Sequence, residues 1–328
     1  WEEITPDDVA NGRLFYQKKT WQKLVVMAGG PMMNVLIAFA IFWAILGLHG
    51  SWQAQPVVAQ IQQCIVRENQ PVDTPCATPD TPAVRSGIQA GDRVVEFNGV
   101  QITAYAHLQG LIRANLDGEA RLVVDRGGQR VALTTVRTVI SGVQDQLDPS
   151  KRIAAGWFGI TPVAELVTGG PVEVVQQMGT MTTQSVVAIA QFPVKVYNVV
   201  ADMVQGKPRD IYGPLSIVGA SRAAGEVVAS DAITVSDKLV LFGSLLGAVN
   251  LFLALFNFVP LPPLDGGHIA GALWEAARRG WARFFRRPDP GFFDTARLLP
   301  VAYGVMIFLV VSGAALIVAD IVSPIQLF

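Results

Sequence analysis

Histidine, cysteine and charge are scarce in this chain. Among its 328 residues only three are histidine, His49, His107 and His268. None is followed by Glu and none has a histidine four residues away. A helical pair of imidazoles able to hold a metal therefore cannot be assembled from this sequence. Cysteine occurs twice, at Cys64 and Cys76, with no histidine nearby to complete a zinc-ligand set. Charged residues make up 16% of the chain against 51% hydrophobic, too few for an ordinary soluble domain and too many for a protein buried throughout in lipid. The 25 Lys and Arg nearly balance the 26 Asp and Glu, for a net charge of -1, and no basic patch carries interleaved aromatics, which argues against nucleic acid as a partner. There is no internal repeat and no basic start followed by an apolar leader. The chain opens Trp-Glu-Glu and is expected to be a fragment whose beginning is missing.

Long apolar runs are present. Crossing a bilayer takes about 20 apolar residues as a helix, and three segments approach or reach that: Met32–Leu48, extended by Val25–Ala28 through Gly29-Gly30-Pro31, then Leu239–Phe258 and Val301–Ala319. They predict membrane helices over 25–49, 236–270 and 298–320. Lys18, Lys19 and Lys23 precede the first run, and Arg278, Arg279, Arg283, Arg286 and Arg287 fill the loop expected at 271–297. Basic residues collect on the cytoplasmic side, so both clusters read as cytoplasmic and the segment between the first two spans as external. Residues 1–24, with Phe15, Tyr16 and Trp21, suit a cytoplasmic or interfacial segment in contact with membrane lipid. External thiols usually oxidise, so Cys64 and Cys76, twelve residues apart, are expected to be bridged; two free thiols are the alternative.

The external segment divides in two. Residues 55–163 read as a β-rich domain with strands at Pro56–Ile61 and Arg93–Phe97, a tight turn at Asn98-Gly99, a helix at Tyr105–Asn115, and a hairpin pairing Arg121–Asp125 with Gln129–Val136. Residues 171–235 read as a membrane-surface linker with an amphipathic helix over 185–205. There Gln191, Lys195, Asn198, Asp202 and Gln205 oppose a stripe of Ile189, Phe192, Val196, Val199 and Met203.

The most informative stretch is Asn257 to His268, at the end of the second long run. Asp265 lies there at the membrane boundary beside Pro260, Pro262, Pro263, Gly266 and Gly267. An ionisable residue at membrane depth is costly and marks a functional site, and broken backbone is tolerated there only when buried in protein or lining a cavity. A metal or proton site follows. A transporter site is the competing reading, but it would bring more spans and repeat symmetry, and neither is present.

Asn257, Pro260, Pro262, Asp265 and Gly266 fall position for position on Asn-x-x-Pro-x-Pro-x-x-Asp-Gly, and the stretch resembles the second signature of the site-2 proteases, intramembrane zinc metalloproteases. Met27-Ala28-Gly29-Gly30-Pro31-Met32-Met33-Asn34 resembles the family's second membrane helix, where Gly30, Pro31 and Asn34 would lie near the catalytic centre. Ala83–Val94, Asn98-Gly99 and Gly156–Ile160 resemble a PDZ domain of the bacterial membrane-protease type. The Cys pair, the single PDZ domain and the Trp-Gln-Lys entry to the Gly-Gly-Pro helix resemble actinobacterial members.

These likenesses imply a multi-pass α-helical protein of the plasma membrane with an inserted extracytoplasmic α+β PDZ-like domain. They imply one zinc ion, with Asp265 as a ligand. The other two ligands would come from a His-Glu-x-x-His helix that this sequence lacks and that should lie upstream of Trp1. Asn257 would hydrogen-bond the substrate or the developing oxyanion, or else bond across helices; His268 would support the site without ligating. The substrates would be single-span membrane proteins such as anti-sigma factors. The PDZ-like domain would either bind a substrate chain or filter by size. A catalytically dead PDZ-bearing scaffold is the alternative for the whole.

Overall fold

The computed structural model describes residues 14–64, 80–144, 152–207, 209–210, 213–230, 234–288, 291 and 298–324. The chain forms two compact units, Leu46–Gly169 and the remainder.

Helix α1, Thr20–Leu48, runs unbroken through Pro31. It begins five residues before the expected 25. The Leu46–Gly169 unit then holds ten strands and two helices, in the order β1 (Ser51–Ile61), α2 (Pro82–Ser86), β2 (Arg93–Phe97), β3 (Val100–Gln101), α3 (Tyr105–Ala114), β4 (Glu119–Ala120), β5 (Leu122–Arg126), β6 (Gln129–Ala132), β7 (Val136–Arg137), β8 (Val139–Gln144), β9 (Arg152–Trp157) and β10 (Ile160–Val167). The main sheet has the order β10-β1-β2-β5-β6, with β3 also on β2, while β4 pairs with β7 and β8 with β9. Alternation turns Leu122 and Val124 of β5 inward, and a register shift between Val94 and Glu96 brings both Val94 and Phe97 of β2 to the same face; these four pack with Leu108 and Ile112 of α3 and with Phe158. Asn98 and Gly99 have φ of +48° and +84°, the left-handed pair required by a two-residue hairpin. Cys64 is disulfide-bonded; Cys76, the other half of the expected bridge, lies outside the described residues.

Asp92 explains part of the Gly-Ile-x-x-Gly-Asp run. Its carboxylate is 1% exposed and accepts hydrogen bonds from Arg126 Nε at 2.7 Å, from the other arm of that guanidinium at 2.7 Å, and from the Gln89 amide at 2.8 Å. Arg126 also donates to the Gly87 carbonyl, so one side chain ties the loop after α2 to the β5–β6 hairpin. Burial works against the charge on Asp92. The hydrogen bonds from Arg126 and Gln89, with the guanidinium's charge, outweigh it and hold the carboxyl below the usual carboxylate range. A carboxylate whose folded pKa is depressed stabilises fully above its unfolded value, and that stabilisation is lost as pH falls through the folded value. The Tm of this unit should therefore hold steady from neutrality to about pH 4 and drop below it. Asp92→Asn should lower Tm at neutral pH and flatten the acid limb. A variant as acid-labile as the parent would contradict the assignment.

The other unit continues with α4 (Pro171–Gln205), α5 (Ile217–Ala229), α6 (Val235–Asn257), α7 (Asp265–Phe284) and α8 (Leu299–Val322). Four described helices, α1, α4, α6 and α8, are long and apolar enough to cross a membrane. The sequence reading differs from this in three places. The amphipathic segment expected at 185–205 belongs to a 35-residue helix that starts at a Gly-Pro step, where Glu173 accepts from the Gly170 amide at 2.8 Å. The second long span does not run through to 270: it stops at Asn257 and a new helix begins at Asp265. The Arg-rich segment expected as a loop is helical through Phe284, because Ala, Leu, Glu and Arg dominate it and helix formers are not broken by charge.

α1 and α6 meet through small residues. A Cβ on Gly247 would stand 2.9 Å from the Phe42 ring, and one on Gly243 would stand 3.1 Å from Ile45. Glycines four apart on α6 thus receive bulky side chains of α1, the close approach by which helices associate in lipid. The pairing of 42 with 247 and 45 with 243 makes the two helices antiparallel. α4 packs on α8, with Val196 and Val199 against Leu316 and Ala319 and Phe192 edge-on to Phe308 at 6.3 Å.

Candidate metal centre

The turn at 258–264 follows from its prolines. Pro260, Pro262 and Pro263 have no N–H to donate, so α6 cannot continue past Asn257. The chain closes instead through short-range bonds: Val259 N to Phe256 O at 3.1 Å, Leu261 N to Val259 O at 2.7 Å and Leu264 N to Leu261 O at 3.0 Å. α7 then starts on Asp265. A carboxylate in a first helical turn faces the positive end of the helix dipole.

The two glycines after Asp265 are needed for space. Gly266 and Gly267 are buried. A Cβ on Gly266 would fall onto the carbonyls of Phe258 and Val259, and one on Gly267 would lie 2.6 Å from Pro262 N. These contacts are with backbone, which cannot swing aside, so only glycine lets the start of α7 fold back onto the turn. Pro262 is buried within that turn and Pro260 is exposed.

Asp265 is half-buried, and among the described residues nothing hydrogen-bonds or ion-pairs with its carboxylate. His268, one turn further along α7, is exposed. Asn257, the last residue of α6, is half-buried and its side-chain amide is likewise unengaged among the described residues. Asn257 lies ten residues beyond Gly247. Since Gly247 faces Phe42 and the helices run antiparallel with equal rise, Asn257 is level with about Met32 of α1. Pro31, buried, and Gly30 and Asn34 beside it therefore share the depth of the Asp265 turn. A cavity of about 370 Å³ adjoins that turn, bounded by Val259, Leu261 and Leu264, by Phe192 of α4 and by Phe308 of α8.

Zinc at a catalytic site takes three protein ligands and an open position. Among the described residues no three of His, Cys, Asp and Glu come together. An unengaged carboxylate at a helix start fits one of the three places, and Asp265 is the residue here that would fill it.

Two polar features near these helices escaped the sequence reading. Lys23, near the start of α1, pairs with Glu275 of α7 at 3.3 Å with both residues 6% exposed, and Arg279 joins Glu275 from the next turn. At the end of α8, buried Asp320 accepts from the Ser216 hydroxyl, from the amides of Ser216 (2.7 Å) and Gly219 (3.1 Å), and from Arg209. Both join residues more than a hundred positions apart, so no local pattern announces them.

Comparison with known proteins gives the chain's relatives. The sequence model described as Peptidase family M50 matches residues 3–285. The chain is 30% identical over 341 residues to the zinc metalloprotease Rip1 of Mycobacterium tuberculosis (strain Erdman), with all of this chain and 81% of that protein covered. It is 30% identical over 343 residues to the zinc metalloprotease Rip1 of Mycolicibacterium smegmatis, with all of this chain and 80% of that protein covered.

Proposed function

The chain belongs to Peptidase family M50 and is a zinc metalloprotease, and from that footing we propose that it cleaves peptide bonds within the membrane, in single-span protein substrates such as anti-sigma factors. The observation that carries this is the unengaged Asp265 carboxylate at the start of a helix that follows directly on a membrane-competent one. Asp265 would supply one zinc ligand, and the histidines of a His-Glu-x-x-His motif, which this sequence does not contain, would supply the other two. Zinc, when bound, supplies a water activated near neutral pH and polarises the scissile carbonyl. Asn257 donates its side-chain N–H to the carbonyl oxygen as charge develops there. Gly266 and Gly267 hold the Asp265 turn at the right depth. The turn's broken backbone offers hydrogen-bonding groups to a substrate segment that must be unwound before it can be cut.

In this reading α1, α6 and α8 cross the membrane and α4 does not. The Lys23–Glu275 ion pair supports it. Its partners stand near the start of α1 and in α7, so an even number of crossings must separate them. α1 and α6 supply two, and α4, the least apolar of the four candidates, would make an odd third. The same count keeps the lysines before α1 and the arginines of α7 on one side, as the charge bias of membrane proteins requires. The Leu46–Gly169 unit is then extracytoplasmic.

That unit is a PDZ domain controlling access to the metal centre. β10 is an edge strand of its sheet, open to an added strand. A groove beside it is lined by Tyr105 and Ile112 of α3 and by Gly156–Ile160. The carbonyls of Phe158 and Gly159 bond to Ala83 N and Gln62 N at 2.9 Å each. The trans peptide plane then turns the amides of Gly159 and Ile160 away from those partners, a pair of donors suited to a chain end.

The test uses the complete enzyme, wild type and with about Val57–Thr161 deleted, on a substrate with its external domain intact and on one trimmed of it. Wild type should cut only the trimmed substrate, and the deletion should cut both. If wild type cuts both equally, access control is wrong. If the folded deletion cuts neither, the unit binds substrate as a required element.

A further inference from the structure

α7 is apolar on the wrong face for a helix of a soluble protein. Its buried side carries Gly271, Ala272, Glu275 and Ala282, and its outward side carries Leu273, Trp274, Trp281 and Phe284, exposed by 51%, 58%, 64% and 82%. The inward Glu275 is matched by Lys23 and Arg279. Trp281 and Phe284 each lie against the Phe285 ring, with centroids 4.8 and 5.1 Å apart, yet they stay mostly exposed. Indole rings spaced seven apart on one helix face are the amphipathic groups that settle at a membrane interface.

Charge accompanies that face. From Asp265 to Pro288 there are five arginines and two carboxylates, Asp265 and Glu275. Asp265 stands at the far end of the helix and Glu275 is buried, so no acidic side chain interrupts the outward face. Beside it opens a cavity of about 510 Å³ lined by Trp274, Arg278, Trp281, Arg287 and Pro288. Arg287 is exposed and meets no acidic group among the described residues.

We propose that this groove holds the phosphate headgroup of an anionic phospholipid, gripped by Arg287, while the acyl chains run over Trp274 and Trp281. The proposal rests on the reading of the chain as a membrane protein with α7 at the interface, and is separate from the assignment of Asp265. Free phosphate would satisfy Arg287 but leave the indoles and Phe284 in water, so the occupant is a lipid of the bilayer. α7 lies between two membrane-competent helices and is tied through Glu275 to the start of a third, which keeps the groove at headgroup depth.

The complete enzyme, carrying Asp265→Asn to silence cleavage, would be purified in neutral detergent and offered equal phosphatidylglycerol and phosphatidylcholine. Native mass spectrometry then counts the lipids retained. Phosphatidylglycerol should be kept in preference, inorganic phosphate should not displace it, and Arg287→Gln should reduce the preference about fivefold. Trp281→Ala should weaken retention of the lipid without creating phosphate binding. Equal retention of both lipids, an unchanged preference in Arg287→Gln, or displacement by inorganic phosphate would each overturn the proposal. None of these results bears on proteolysis, which is read in the Asp265 parent.

Discussion

Asp265→Ala in the complete enzyme should abolish cleavage and lower zinc affinity by more than the 10- to 100-fold typical of losing a group that merely supports a ligand. The expectation follows from position. The Asp265 carboxylate makes no hydrogen bond or ion pair among the described residues, so its removal breaks none there. A structural role would show as a lowered Tm, whereas a ligand's role shows as lost metal and lost turnover with the fold intact. Asp265→Asn, which keeps the shape and removes the charge, should fall close to the alanine variant. Activity and zinc content like those of wild type in either variant would remove Asp265 from the site.

The second large effect is expected far from the metal. Asp320 and Arg209 have side chains 1% and 5% exposed, and Asp320 also takes the Ser216 and Gly219 donors at the start of α5. Asp320→Ala leaves the guanidinium buried without a counter-charge, and removing one partner of a buried pair costs about 3–5 kcal/mol. Replacing both partners together, as in Asp320→Leu with Arg209→Leu, should recover much of that loss, because the uncompensated charge goes as well. Thermal unfolding in detergent distinguishes the cases. A double variant as unstable as Asp320→Ala would mean that the Ser216 and Gly219 bonds, not the ion pair, carry the effect. Gly219 itself should resist substitution, since a Cβ there would stand 2.5 Å from the Asp320 carboxylate.

The sequence carried the site's signature more fully than its geometry. Asn257, Pro260, Pro262, Asp265 and Gly266 stand out in the sequence because their chemistry is unusual at the end of an apolar run, and the structure gathers them at one helix–turn–helix junction. Gly267 was present in the same stretch, but its need for space appears only once α7 folds back onto Pro262. The hairpin at Asn98-Gly99 and the helix from Tyr105 were legible because turn chemistry and 3.6-residue spacing are local. The arginines of α7 suggest a solvated loop by their charge, but Arg is also a good helix former, and the segment is helical through Phe284. In α4 the polar stripe marks only the second half of the helix, and its start is set by the Gly-Pro step at 170–171. The Lys23–Glu275 and Arg209–Asp320 pairs join segments 252 and 111 residues apart, and nothing local in the chain encodes so distant a partner.

The central claim, that Asp265 ligates zinc, is tested most directly by changing the donor atom. In the complete enzyme carrying Asp265→Cys, X-ray absorption at the zinc edge should acquire a sulfur neighbour at about 2.3 Å that wild type lacks. Zinc bound with no sulfur in its shell would contradict the assignment.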